Sequence, residues 1–231
     1  MTIARRSLSL AKTYPAIAIV LTLVGLGLGA SGVSAGTVGT TNIGGVGSTR
    51  ASAAIPFIAV PLQALAAMLF ATPVVLLFVY DKNNGVLEYL LSLGMSQRDI
   101  YRQYLKAALL LAGGIGVLDV IVDIAVGVIS GTGSVLFQIP LLAVVLGLSV
   151  VSLVTVVMMS FSSLQKQRVG SNQPLGMSVG AFLVLPTYLI PFILSSIAFW
   201  VDLSWAGIIL VVSLVMFLLS SRLINREKLL P

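Results

Sequence analysis

Apolar residues run through this chain in long blocks with short polar interruptions. The blocks fall at about residues 14–30, 54–80, 107–129, 139–161, 175–200 and 204–219. Their lengths lie near the about 17–25 residues that an α-helix needs to cross the hydrocarbon core of a bilayer. The pattern predicts an all-α polytopic membrane protein, a single transmembrane domain of six spans over residues 1–231. Pro56, Pro61 and Pro73 fall in the second block, where Pro73 removes a helix amide and predicts a kink. Pro186 and Pro191 interrupt the outer half of the fifth. Ser31–Ser52, rich in Gly, Ser and Thr, has too little to bury and reads as a mobile outer loop.

One interruption differs from the others. Asp81–Lys106 holds three of the seven acidic and four of the thirteen basic residues. Asn83-Asn84-Gly85 is turn chemistry. Val86, Leu87, Leu90, Leu91 and Leu93 then follow as the broad apolar face of a short helix. Gly94 breaks it. Ser96 offers an N-cap hydroxyl with Asp99 three residues on, so a second helix is expected from Gln97. Ile100, Tyr101, Tyr104 and Leu105 form its apolar stripe, and Arg98, Arg102 and Lys106 its basic face. The segment reads as a helix, a hinge and a helix that continues into the third span.

These residues resemble the first cytoplasmic loop of the ABC-2 family of ABC-transporter permeases. Gly85-Val86-Leu87-Glu88, Leu90-Leu91-Ser92-Leu93, Gly94-Met95-Ser96, Arg98 and Asp99-Ile100 carry the resemblance. Gly94 stands where the family often has proline, and Gln103-Tyr104 where it often has Gly-Lys. The charged tail Asn225-Arg226-Glu227-Lys228 is also similar. The match covers about 20 residues of the 231. The resemblance implies the transmembrane subunit of an ATP-driven exporter fold, paired with a second permease chain as homodimer or heterodimer. It implies coupling to separate ATPase subunits, which would bind ATP and Mg, through Gly85, Leu87, Glu88, Leu91, Ser96, Arg98, Asp99 and Ile100. The chain itself is then non-catalytic and holds no cofactor.

Composition supports the membrane class, with 58% hydrophobic and 9% charged residues. The chain has no cysteine and no histidine, which excludes disulfides, thiolate or imidazole chemistry and the common zinc sites. It contains no Gly-x-x-x-x-Gly-Lys-Ser/Thr phosphate loop. The net charge of +6 is explained by topology and not by nucleic-acid binding. Twelve of the thirteen Lys and Arg fall in the N-terminal segment, residues 81–106, the loop after span four and the C-terminal tail; only Arg50 falls outside. This asymmetry puts both termini in the cytoplasm of a cell-membrane protein. The basic start, apolar core and Val33-Ser34-Ala35 also resemble a signal peptide, but a permanent first span completes the both-ends-inside pattern.

Within the spans, Gly113, Gly114 and Gly116 invite close helix approach, and Ser149, Ser152 and Thr155 read as a helix–helix seam. Trp200 and Trp205 flank a tight outer turn at Asp202 as interface anchors. Asp119 and Asp123 lie one turn apart on the third span, where a carboxylate costs about 2.5–3.5 kcal/mol at the helix centre. Two readings are open: a polar lining to a translocation path, or a pair close to the outer water and bonded to neighbouring helices. The alternative function is a secondary transporter or channel that uses this pair for proton or cation coupling, although no internal repeat supports it.

The cysteine-free background makes the topology testable. Single cysteines at Ser48 and Thr132 are expected to react with an impermeant thiol reagent from outside, and cysteines at Asn83, Ser171 and Asn225 are not. Outside labelling at Asn83 ends the six-span arrangement.

Overall fold

A computed structural model describes residues 3–10, 16–24, 46–130, 138–161, 175–194 and 197–223. The expected outer loops over 31–45 and 131–137, the inner loop over 162–174 and the tail from Asn225 lie outside them. Among the described residues the chain is helical apart from short turns, with no strand. The helices are α1 (Ile3–Leu10), α2 (described over 16–24), α3 (Val46–Asn83), α4 (Val86–Ser92), α5 (Gln97–Ser130), α6 (Gln138–Phe161), α7 (Leu175–Ile193) and α8 (Ala198–Leu223).

Four of these contain stretches long and apolar enough to cross a membrane: Ile58–Asn83, Gln97–Ala125, Gln138–Ser160 and Ala198–Ser220. A shorter apolar stretch, Val179–Ile190, belongs to α7. The chain is thus compatible with a multi-pass membrane protein.

Two boundaries differ from the sequence expectation. Helix α3 begins at Val46, so Val46–Ser52 extend the helix and are not loop. It also runs unbroken through Pro56, Pro61 and Pro73. The expected turn at Asp202 is absent, and a turn bond lies earlier, from Ile197 N–H to Leu194 O at 3.1 Å. Asp202 is instead inside α8 and fully buried. Charge alone marked it as a turn residue, whereas its flanks Phe199, Trp200, Val201 and Leu203 continue a helix.

Helix α6 is the centre of the bundle, touching α3, α5, α7 and α8. Its buried residues Ile139, Leu142, Leu146 and Val150 recur at three- and four-residue steps, the period of one helix face. Across from it α3 presents buried Ala64, Ala67 and Ala71. Small residues let backbones approach, which drives association where lipid removes the usual hydrophobic gain. Gly147 is a point of close approach: a Cβ there would lie 3.1 Å from Ala67 Cβ and 3.6 Å from Ala64 Cα. Of the α5 glycines, Gly116 faces Val144 of α6 as tightly, while Gly114 faces open space.

Helix α8 is the least covered of the four, with 22% of its apolar window buried. Trp205 is turned inward, its indole N–H donating to Leu183 O of α7 at 2.9 Å. Only Trp200, 67% exposed, keeps the position of an interface anchor. Ser149 and Ser152 donate to Val145 O and Leu148 O of their own helix, so the seam expected on α6 is satisfied internally.

The glycine contacts yield a paired prediction. Gly147→Val overpacks the α3–α6 seam and is expected to cost about 1–3 kcal/mol in a detergent unfolding assay. Gly114→Ala should be neutral or stabilising by about 0.5–1 kcal/mol, since it adds helix propensity in open space. Equal effects from the two would show that the seam does not hold the bundle together.

Candidate functional site

The end of the bundle that carries residues 81–106 is built by two left-handed glycines. Gly85 (φ 70°) closes α3 and opens α4, its N–H bonding to Lys82 O at 3.2 Å. The Asn84 side chain donates to Tyr80 O at 2.9 Å, satisfying another terminal carbonyl. Gly94 (φ 85°) ends α4 in a Schellman turn: Gly94 N–H bonds to Leu91 O at 3.0 Å and Met95 N–H to Leu90 O at 3.2 Å. The chain then re-enters helix at the cap expected from sequence. Ser96 Oγ accepts from Asp99 N–H at 3.1 Å and donates to the Asp99 carboxylate at 2.6 Å. The segment is therefore a capped helix–turn–helix with each reversal fixed by named backbone bonds.

Its inner face is aromatic. Phe78 of α3 packs on Tyr101 and Tyr104 of α5, the latter edge-on at 5.2 Å between ring centroids. Leu87 and Ile100 are buried against the same cluster, with only a gap of about 10 Å³ left among Phe78, Leu87, Leu91, Gln97, Ile100 and Tyr101. Leu87 and Ile100 hold the segment to the bundle, and no surface of theirs is left to meet a partner directly. Leu91, Glu88 and Gly85 are half-buried, whereas Ser96, Arg98 and Asp99 are exposed. Leu93, expected on the buried face, is 62% exposed because it follows the last turn of α4 and is no longer in helical phase. Tyr89, which the periodicity did not single out, is 64% exposed.

Beneath this face lies a polar contact between elements far apart in sequence. Asp81 is almost fully buried at the end of α3. Tyr104 Oη donates to its Oδ2 at 2.6 Å. Arg6 of α1 places Nη1 3.4 Å from Oδ2 and Nη2 2.9 Å from Oδ1, the shorter approach being an ion-pair contact off the hydrogen-bond direction. The Arg6 side chain is 42% exposed, so it bridges the buried carboxylate to the surface. The sequence places Asp81 at the start of a polar interruption; only three-dimensional closure of α1, α3 and α5 reveals the pairing.

A second polar group sits deeper. Asp119 and Asp123 of α5 are both buried within the chain, and the Gln63 side-chain amide of α3 donates to Asp123 Oδ2 at 3.1 Å. One oxygen of Asp119 and the Gln63 carbonyl oxygen have no hydrogen-bond partner among the described residues. At 1.5 Å rise per residue, Asp119 lies about 20 Å and Asp123 about 25 Å along α5 from Lys106. Gln63 was legible in principle as the one amide in a long apolar run, but nothing local tied it to Asp123. Neither Asp119 nor Asp123 meets the segment 81–106. Among the described residues no group of three or more Asp or Glu is placed to hold a metal ion.

No family model, curated protein or solved structure matches this chain.

Removing parts of the Asp81 contact has separable consequences. Tyr104→Phe is expected to cost about 1.5–3 kcal/mol, the range for a hydrogen bond to a charged group. Arg6→Ala should cost no more than about 3 kcal/mol, because its partner is buried but the guanidinium is partly solvated. In an Asp81→Asn background the Arg6→Ala cost should fall below about 0.5 kcal/mol, a coupling that a double-mutant cycle of unfolding free energies measures. An unchanged Arg6 cost in that background refutes the pairing.

Proposed function

We propose that this chain is the transmembrane permease subunit of an ATP-driven transporter of the ABC-2 type, acting in export. In this reading α2 and α7 supply the two further spans of a six-span, both-ends-inside topology in the cell membrane. A second permease chain completes the pathway. A separate cytoplasmic ATPase binds ATP and Mg and pushes on residues 81–106.

The observation that carries the reading is the capped, hydrogen-bonded geometry and outward chemistry of that segment. A short helix fixed between two left-handed glycines, and a second helix continuous with a long apolar one, can pass a displacement at the surface into the bundle. Its outer face combines Tyr89 and Leu93 with Arg98, exposed apolar and charged groups of the sort a protein partner covers. Asp99 is engaged in its own cap, so Glu88 and Arg98 are the charges more available to a partner. Leu87 and Ile100 contribute by stiffening the segment.

A second reading rests on Gln63, Asp119 and Asp123. A buried carboxylate pair, with Asp123 bonded to Gln63 and one Asp119 oxygen without a partner among the described residues, suits a secondary transporter or channel that couples to a proton or cation.

One experiment separates the two. Glu88→Lys with Arg98→Glu is expected to weaken co-purification of the ATPase at least tenfold, or to uncouple ATP hydrolysis from transport, with membrane insertion unchanged. Asp99→Asn, which still caps, should be mild. Asp119→Asn with Asp123→Asn should leave ATPase association intact. Normal ATPase binding and transport by the charge-reversed chain sinks the permease reading, and transport abolished only by the Asn pair favours the coupled carrier.

A further inference from the structure

A sizeable groove is lined by none of the residues proposed to meet the ATPase. It is about 390 Å³, within the range of small-molecule sites, and lies between α5 and α8 over α6. Ser152 of α6 and the buried Ser213 form part of its lining; Leu109, Leu214 and Phe217 give it apolar walls. Arg102 and Lys106 also line it and are exposed. They stand four residues apart on α5, a spacing that places side chains on one face within about 5–6 Å at Cβ. No ion pair to either is formed among the described residues.

We propose that this groove holds an anionic phospholipid, its phosphate between Arg102 and Lys106 and an acyl chain against Leu109, Leu214 and Phe217. Three observations select this occupant. The groove opens along α8, the least covered long apolar helix, where Leu210, Val211, Leu214 and Val215 are all about half exposed. In a membrane that side faces lipid. From Arg102 to Leu109 the lining extends about 10 Å along α5, deep enough for the upper part of an acyl chain and too deep for a headgroup alone. Both cations lie in the part of α5 that belongs to the segment 81–106, where an anionic leaflet attracts juxtamembrane Lys and Arg. The inference needs the bundle to sit in a membrane and does not need the ATPase.

The test uses the delipidated full chain in neutral detergent, with native mass spectrometry counting retained lipid. The probes are dioleoyl phosphatidylglycerol, dioleoyl phosphatidylcholine and glycerol phosphate. Each cation near an anionic headgroup is worth about fivefold, so phosphatidylglycerol should be preferred over phosphatidylcholine by roughly 25-fold. Arg102→Gln with Lys106→Gln should abolish the preference, whereas Arg98→Gln, one turn beyond the groove, should leave it within about twofold. Ser213→Phe, which fills the floor, should lower retention of both lipids. Circular dichroism confirms that each variant stays helical. The proposal is overturned if wild type does not discriminate between the lipids, if the double variant keeps the preference, or if Arg98→Gln removes it equally. It is also overturned if glycerol phosphate displaces the lipid at matched concentration, which would leave an anion site only, or if a stable dimer excludes lipid from the groove.

Discussion

A carboxylate buried at the end of an apolar helix is costly unless its charge is answered, and Asp81 is such a group. Its answer comes from both sides in sequence: Arg6, 75 residues earlier, and Tyr104, 23 residues later. An uncompensated buried charge is strongly destabilising, so α1, α3 and α5 are held together by a requirement and not only by contact area. The aromatic cluster of Phe78, Tyr101 and Tyr104 lies directly beside it. One tyrosine therefore serves both the apolar packing and the polar pairing. The position of α4 and the start of α5 follow from that arrangement, because both glycine reversals are anchored to helices already fixed there.

Around this end the bundle divides its work. Helix α6 supplies the apolar centre, with α3 lying close through alanines and Gly147. Helix α8 touches α6 along one face and leaves the rest outward. The polar groups do not merge into a single site: Asp81 closes one end, while Gln63 and Asp123 meet at the α3–α5 contact some turns away. Asp202 is buried on α8 with neither carboxylate oxygen bonded among the described residues.

Much of the helical layout was legible because long apolar blocks, glycine turns and a Ser-x-x-Asp cap are local signals. Gly85, Gly94, Ser96 and Asp99 stand in the roles their chemistry suggests. What sequence could not supply was partnership. Asp81 looked solvated because charge near a turn usually is, and its burial depends on a helix at the far end of the chain. Leu93 looked buried because it follows a leucine-rich face, yet the Schellman turn takes it out of phase. Trp205 looked like an anchor at a membrane surface, but Leu183 offers its indole an acceptor within the chain. Gln63 carried no local signal of its bond to Asp123, which depends on how α3 and α5 cross.

The alanines of α3 bear on how the bundle can move. Ala64, Ala67 and Ala71 have no side-chain rotamers, and Gly147 opposite them has no side chain at all. Sliding α6 along α3 would therefore disturb few χ angles, whereas an interface of interlocked leucines must re-pack with every displacement. Packed helices commonly accommodate change by shear of about 1–2 Å. A smooth, close seam at the middle of the molecule lowers the resistance to such shear, while the Asp81 contact pins one end of α3 and so sets where the sliding begins.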